Sequence, residues 1–197
     1  MSEGKPLGVM MVSASFHPYI GGAEKQALEL SVALRARGLK VSVATRRLEG
    51  LAAFEEIRGV PVHRLWRAGS GLVDASTFLL ALYYFLWRRA ADYDVIHVHL
   101  AGSPALAACL MGRLLRKRVF IKIGGGAGIG ELAASARTPA GRLKLMLLAW
   151  FSPQLIAVAE DLAREAARYL GSAPVHVLPN GVDTERYKPV ESAEKRE

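Results

Sequence analysis

The chain has 197 residues, of which 51% are apolar and 22% are charged, and its formal net charge is +8. This apolar content excludes a disordered chain, a single cysteine excludes a disulfide framework, and no apolar run reaches the roughly 18 residues that a membrane span requires. The first six residues lack the layout of a signal peptide, so we expect a soluble, cytoplasmic protein. The positive charge favours acidic partners such as nucleotide phosphates, anionic lipid or nucleic acid, and a basic surface that only aids solubility is an equal alternative.

The chain opens with the pattern of a strand, a loop and a helix. Residues 9–12 are a short apolar run typical of a buried parallel strand, and residues 23–38 repeat apolar side chains at helical spacing. The loop 13–22 between them ends in Gly21 and Gly22. Because glycine has no Cβ atom, this pair lets a phosphate or a sugar hydroxyl approach the unpaired amides of the helix start. A turn that merely requires positive φ explains the two glycines equally well.

Strands and helices alternate along the rest of the chain. Further strands are predicted at 40–45, 60–65, 94–99, 119–123, 154–158 and 174–178. Further helices are predicted at 75–91, 103–116, 139–151 and 159–170. Residues 46–59 indicate a polar connection with some helical character. This order predicts an α/β fold, a doubly wound parallel sheet of about seven strands with helices on both faces.

Ligands of such sheets bind beyond the carboxyl ends of the strands. Four loops are expected at that edge, and three of them are rich in Gly, His or Asn: 13–22, 99–103, 124–131 and 179–183. We therefore expect a binding site where these loops meet.

The helix predicted at 75–91 is apolar on every side at its centre. Burial all round is the favoured interpretation. A partner protein, a second domain or a membrane surface is the alternative.

Several familiar motifs are missing. The glycine run 124–130 gives no G-x-G-x-x-G register, and Gly21-Gly22 lacks the Lys and Ser/Thr of a P-loop, which argues against a nucleotide-dependent oxidoreductase. His97 and His99 point the same way from one strand, a weak hint of a metal, and hydrogen-bonded histidines are the commoner case. The cluster of cations that follows has no interleaved aromatic residue, which disfavours a nucleic-acid partner: Arg113, Arg116, Lys117 and Arg118.

The pattern as a whole resembles the amino-terminal domain of the retaining GT-B glycosyltransferases of family 4. Residues 16–24 resemble the F-x-P-x-x-G-G-x-E loop of that domain, residues 94–99 its fourth strand, and residues 157–183 its end. The resemblance implies a Rossmann-like, acceptor-side domain over residues 1–183. It implies that residues 184–197 are a linker toward a carboxyl-terminal donor-binding domain that is absent here.

By this resemblance the chain is the acceptor-binding half of an enzyme that moves a sugar from a nucleotide-sugar donor to a hydroxyl acceptor with retention. No metal or other cofactor is expected, nucleic acid is not a partner, and the fragment alone is expected to be inactive. Peripheral contact with the inner face of the membrane is implied through the helices predicted at 75–91 and 139–151. The alternative is a non-catalytic Rossmann-like binding or partner subunit for an anionic or glycan ligand.

The resemblance also assigns roles to residues. Gly21 and Gly22 match the glycines that approach the phosphate or the sugar of the donor. The candidates for acceptor binding are His17, His99, Gly124, Gly125 and Glu131. A plain surface glutamate is the alternative for Glu131. Many relatives carry a catalytic histidine just after the fifth strand, where this chain has none, so the catalytic candidates are His99 and Lys122.

Overall fold

A computed structural model of the chain describes residues 5–19, 21–125, 130–182 and 184. In these residues the strands are β1 (Gly8–Ser13), β2 (Lys40–Arg46), β3 (Phe54–Ile57), β4 (Val60–Leu65), β5 (Val95–His99), β6 (Arg118–Ile123), β7 (Gln154–Ala157) and β8 (Val175–Val177). The helices are α1 (Gly22–Ala36), α2 (Gly71–Arg88), α3 (Ser103–Leu115), α4 (Glu131–Ala136), α5 (Pro139–Phe151) and α6 (Glu160–Leu170).

The strands form one sheet in the order β3-β4-β2-β1-β5-β6-β7-β8. All neighbours are parallel except β3 and β4. The predicted parallel α/β architecture is therefore confirmed, with one strand more than expected. The order reverses at β1, because the chain first builds the sheet on one side of this strand and then on the other.

Strand β1 lies at the centre of the molecule and is buried along its whole length. Its side chains alternate between two apolar cores. Val9 and Met11 pack in the core under α1, whereas Met10 and Val12 belong to the larger core under the other helices. Each such side chain contributes on the order of 1.5–3 kcal/mol when fully buried, so this short run stabilises both faces at once.

The prediction for residues 46–59 is wrong, because this segment contains β3. The strand pairs antiparallel with β4, and Ile57 lies opposite Val60. The two turn residues, Arg58 and Gly59, both have positive φ, at 51° and 78°. This is the mirror-image turn that suits the twist of a hairpin. The strand has no clear apolar alternation because it lies at the sheet edge, where Phe54 is exposed.

Helix α2 begins earlier than predicted and ends at Arg88. The expectation that it is buried on all sides is wrong for one side. Phe78 and Leu82 are buried in the core, but Leu80 and Tyr84 are exposed. In the described part of the chain, no helix is both long enough and apolar enough to cross a bilayer.

Helices α4 and α5 meet at a tight corner. Thr138 caps α5, since its hydroxyl accepts a hydrogen bond of 3.0 Å from the amide of Gly141. A Cβ atom on Gly141 would lie 2.0 Å from the carbonyl oxygen of Ser135 in α4. The missing side chain is therefore what lets the two helices approach, and α4 itself was not predicted from the sequence.

Candidate functional site

Three strand ends lie side by side at the carboxyl edge of the sheet. Ser13 at the end of β1 is in register with His99 at the end of β5, and His99 is in register with Lys122 of β6. The loops after these strands consequently open at the same edge. This is the position at which a doubly wound sheet binds its ligands.

A cavity of about 930 Å³ lies at this edge and extends along α1. The structure brings four of the predicted residues together on its wall: Gly22, His99, Lys122 and Gly124. Asn180 and Gly181 complete the wall from the far end of the chain. Gly21, His17, Gly125 and Glu131 are not among the described residues that line it.

The two glycines before α1 differ in their surroundings. Gly21 is the N-cap in an extended conformation, with φ −117° and ψ 169°, and Gly22 does not have positive φ either. The explanation that the pair merely needs positive φ is therefore wrong. A Cβ atom on Gly21 would lie against the carboxylate of Glu24, whereas one on Gly22 would meet nothing within 4 Å. The open approach to the first turn of α1 is thus at Gly22.

His99 is buried with its ring stacked on His97, the two centroids being 4.7 Å apart and the planes 6° from parallel. Within the described residues, the Nε2 atoms of both rings are buried without a hydrogen-bond partner. Burial lowers the pKa of His99 well below its usual value, and the neighbouring His97 and Lys122 lower it further. Burial, with a smaller contribution from Lys122, lowers the pKa of His97 to about 4.

Both imidazoles are therefore neutral at pH 7. A neutral ring can accept a proton or a hydrogen bond, which an imidazolium cannot do. No third metal-binding side chain joins the two histidines in the part of the chain that the structure describes.

Lys122 reaches from β6 into the same cavity. Its Nζ atom donates a hydrogen bond to the side-chain oxygen of Asn180, which lies just after β8. Burial lowers the pKa of Lys122. The sequence indicated only turn chemistry around Asn180. The available signal was that an Asn-Gly pair follows a strand at the carboxyl edge.

Glu131 is not a plain surface glutamate, because its carboxylate has backbone partners. Its carboxylate accepts hydrogen bonds from the backbone amides of Gly124, at 3.1 Å, and Gly125, at 3.2 Å. The side chain thus links Gly124 and Gly125 to the start of α4. The predicted loop 124–131 is described only at its two ends, because residues 126–129 lie outside the described residues.

His17 is exposed in the loop after β1. The contact that holds this residue in place is made by its backbone. The carbonyl oxygen of His17 accepts a hydrogen bond of 2.8 Å from the guanidinium of Arg64. Arg64 is buried in β4 and also pairs with Glu55. The hairpin of β3 and β4 therefore anchors the loop that leads to Gly21. Ile20 of this loop lies outside the described residues.

Residues 20–186 match the model of the protein family described as Glycosyltransferase Family 4. The chain belongs to this family. Among curated protein sequences none matches it.

Solved structures place this family member among GT-B glycosyltransferases in fold. Sucrose-phosphate synthase from Thermosynechococcus elongatus superposes with a TM-score of 0.66 at 16% identity, over 95% of this chain and 51% of that protein. HepE from Anabaena, in complex with UDP, superposes with a TM-score of 0.65 at 15% identity, over 94% of this chain and 47% of that one. At such low identity the likeness shows the fold alone. The chain spans about half the length of these two proteins.

The family and the fold together support a glycosyltransferase-type function. The chemistry at the edge of the sheet is consistent with this. It combines a helix start that is open at Gly22, a neutral buried imidazole on His99 and the ammonium-bearing side chain of Lys122.

Proposed function

We propose that this chain is the acceptor-binding half of a glycosyltransferase that moves a sugar from a nucleotide-sugar donor to a hydroxyl acceptor with retention of configuration. The observation that carries the proposal is the single cavity in which Gly22, His99, Lys122 and Gly124 meet. No metal or other cofactor is part of the proposal. A cytoplasmic location with contact at the inner face of the membrane stays a prediction.

The start of α1 is the proposed site for the donor diphosphate. The first amides of a helix have no partners within it and carry a partial positive charge. Because a Cβ atom on Gly22 would point into open space, the place it would fill is free for a phosphate oxygen or a sugar hydroxyl. Amides fixed in this way stabilise the negative charge that develops on the leaving diphosphate. UDP is present in the solved structures of HepE and of MnaA from S. aureus, which supports a nucleotide-sugar as the donor class.

The acceptor hydroxyl is proposed to lie between His99 and Lys122. The neutral ring of His99 has a buried Nε2 atom without a partner among the described residues, so it is able to accept a hydrogen bond from a hydroxyl. Lys122 offers a donor close by, which Asn180 holds in place. His99 remains the candidate for contact with the acceptor, and Lys122 the candidate for charge stabilisation.

Binding is tested on the isotope-labelled chain by NMR titration with UDP-, GDP- and ADP-hexoses. We expect at least one of them to shift the amide signals of Gly22, His99 and Gly124. Gly22→Leu should abolish these shifts, because the new side chain would fill the open space at the start of α1. Ala140→Leu adds the same side chain to the first turn of α5, outside the cavity, and should leave the shifts intact. The binding proposal fails if no nucleotide sugar shifts these signals, or if both variants behave alike.

Transfer is tested with the chain and a donor-binding domain together, supplied on one polypeptide or as a second chain. The product should keep the anomeric configuration of the donor, as read from its anomeric proton coupling. Inversion would contradict the proposed mechanism. Binding without transfer would instead support the alternative, a non-catalytic subunit for an anionic or glycan ligand.

A further inference from the structure

A second cavity, of about 400 Å³, opens at the carboxyl edge of the sheet. Two loops line it, residues 47–50 after β2 and residues 66–69 after β4, and we call it the edge groove. Arg46 and Leu65, the last residues of these neighbouring parallel strands, are in register, so the two loops leave the sheet side by side. None of the described residues that line the edge groove also lines the cavity of the candidate site.

Hydrogen bonds fix the walls of the edge groove. The Nε atom of Arg67 donates to the carbonyl oxygen of Arg47 at 2.9 Å, which ties one loop to the other. The amide of Ala68 donates to the hydroxyl of Thr77 at 3.0 Å, which ties the second loop to α2. Arg67 also pairs with the buried carboxylate of Asp74 at 2.9 Å. A ligand therefore meets a groove that is already formed, and the cost of ordering loops is avoided.

Trp66 lines the edge groove and is 60% exposed. Within the described residues its ring stacks on no other aromatic ring, whereas the other two tryptophans each contact a second ring. An open indole offers a ligand a large apolar area together with one N–H donor. It is the feature of the groove that most directly indicates a ligand.

Charged side chains of both signs line the groove with Trp66. Arg47 is exposed, and among the described residues it uses only its Nε atom, in a hydrogen bond of 3.0 Å to the carbonyl oxygen of Leu51. Its two terminal nitrogens are left as donors, and the exposed carboxylate of Glu49 supplies acceptors. Gly50 between the loops has a φ of 76°, and a Cβ atom there would meet nothing within 4 Å, so this turn leaves the groove open.

We propose that the edge groove binds a sugar unit of the acceptor. A pyranose ring has an apolar C–H face, which suits the indole, and hydroxyls that both donate and accept hydrogen bonds, which suit a guanidinium beside a carboxylate. A phosphate group would be attracted by the arginines, but Glu49 would repel it and the indole would stay uncovered. The inference rests on the proposed function, because it names the acceptor of the same transfer.

The geometry of the sheet sets the length of this acceptor. Four residues on adjacent strands are register neighbours in one row near the carboxyl edge: Arg64, Thr45, Ser13 and His99. At about 4.8 Å for each step between strands, the ends of β4 and β5 lie about 14 Å apart. One sugar ring cannot reach from Trp66 to His99. The acceptor is therefore an oligosaccharide or a longer glycan, with its reacting unit at His99 and a more distant unit at Trp66.

The test is NMR titration of the isotope-labelled chain with maltotetraose, cellotetraose, chitotetraose and mannotetraose. We expect at least one of them to shift the indole N–H signal of Trp66 together with the amide signals of Gly50 and Gly69. The corresponding monosaccharide should bind at least about tenfold more weakly, because it contacts one site at a time.

Three outcomes of this titration contradict the proposal. An absence of shifts at Trp66 with all four tetrasaccharides overturns it. Shifts with pyrophosphate and with no sugar would assign the groove to anions and overturn it as well. Equal affinity for the monosaccharide and the tetrasaccharide would overturn the inference that the acceptor spans both sites.

Variants separate the groove from other exposed residues. Trp66→Ala should lower the affinity for the tetrasaccharide about tenfold, and Trp66→Phe should restore most of it because the aromatic face is kept. Trp87→Ala is the matched control, since Trp87 is also 60% exposed but lies on α2 and lines neither cavity, and it should bind as the original chain does. An equal loss in the control would overturn the assignment. Circular dichroism of each variant confirms that its fold is kept.

Nucleotide-sugar titration of Trp66→Ala keeps this inference separate from the proposed function. A nucleotide sugar should still shift the amide signal of Gly22 in this variant, because Gly22 lines the other cavity. Nucleotide-sugar shifts at Gly22 without any tetrasaccharide shift at Trp66 overturn the edge groove and leave the proposed function intact. Tetrasaccharide shifts at Trp66 without nucleotide-sugar shifts at Gly22 support the groove as a glycan site and contradict the proposed donor site.

Discussion

His97 and His99 carry an energetic cost that depends on pH. Each ring is buried in neutral form on the α1 side of β5, with its Nε2 atom unpartnered among the described residues. Such groups resist protonation in the folded state and accept it freely in the unfolded state. Protonation of these two buried imidazoles at low pH should therefore destabilise the fold around the candidate site.

This linkage makes a prediction for stability. The pKa of His97 is lowered to about 4 in the folded protein, from 6.5 in the unfolded chain. The unfolded state thus binds more protons between these values, and stability falls as the pH drops through that window. From about pH 7 to about pH 5 the free energy of unfolding should fall by about 2 kcal/mol through His97 alone. Urea unfolding at the two pH values measures this.

The matched variants are His97→Phe and Val95→Ala. The first removes the titrating group but keeps a ring against His99, so its stability should depend less on pH. The second truncates a half-buried side chain on the same side of β5, so it should lower stability by about 1 kcal/mol at both pH values and keep the original dependence. An unchanged dependence in His97→Phe would contradict the assignment.

Glu131 shows what single residues hide from sequence reasoning. The sequence has a glutamate after a glycine run, and both an acceptor contact and a plain surface position fit that pattern. In the structure the carboxylate accepts hydrogen bonds from the amides of Gly124 and Gly125, which neither interpretation included. Such a contact depends on how the loop folds back, which neither spacing nor composition encodes.

At the scale of elements, the corner between α4 and α5 depends on one missing methyl group. A Cβ atom at Gly141 would overlap the backbone of Ser135, and backbone atoms cannot rotate away as a side chain does. Gly22 is the contrasting helical glycine, since a Cβ atom there would meet nothing within 4 Å.

We predict opposite effects for the same substitution at these two positions. Gly141→Ala should destabilise the protein by about 1–3 kcal/mol, because the two helices must move apart. Gly22→Ala should be neutral or stabilise it by up to about 1 kcal/mol, through the better helix propensity of alanine. Chemical unfolding of both variants tests this. A stabilised Gly141→Ala variant would show that the corner is looser than described.

Most elements could be predicted from the sequence because their patterns are local. The apolar run at β1 and the helical spacing of α1 and α5 are read from neighbouring residues. Strand β3 could not be read, since an edge strand with an exposed Phe54 has no buried side to produce alternation. The short helix α4 was hidden for a similar reason, as it follows a glycine run whose pattern suggests only a loop.

At the scale of the whole molecule, the location of the candidate site followed from topology. Parallel strands place their carboxyl ends at one edge, so the predicted order of elements was enough to expect His99, Lys122 and Gly22 near each other. The partner of Lys122 could not be predicted from the sequence. Asn180 lies far from it along the chain and comes beside it only when β8 completes the sheet.

The chain spans about half the length of sucrose-phosphate synthase and HepE, and this leads to a prediction about activity. We expect the 197-residue chain alone to turn over nucleotide sugars far more slowly than the same chain supplied with a donor-binding domain. The reason is that, under the proposed function, the donor is held between this chain and the donor-binding domain, so the chain alone can orient only one side of it. Release of labelled nucleotide, measured for the two preparations at equal concentration, checks this. Comparable rates would contradict the assignment of this chain as one half of the catalytic unit.

The strands at the two outer ends of the sheet are short. β3 has four residues and β8 has three. Each offers few unpaired amides to a strand from another molecule. Within the described residues, the sheet therefore has no long exposed edge strand of the kind from which fibrils grow, although tryptophans and leucines are exposed on the helices. Precipitation during expression should therefore arise from the exposed apolar side chains of the helices and not from stacking of strands. Mild detergent should reduce it.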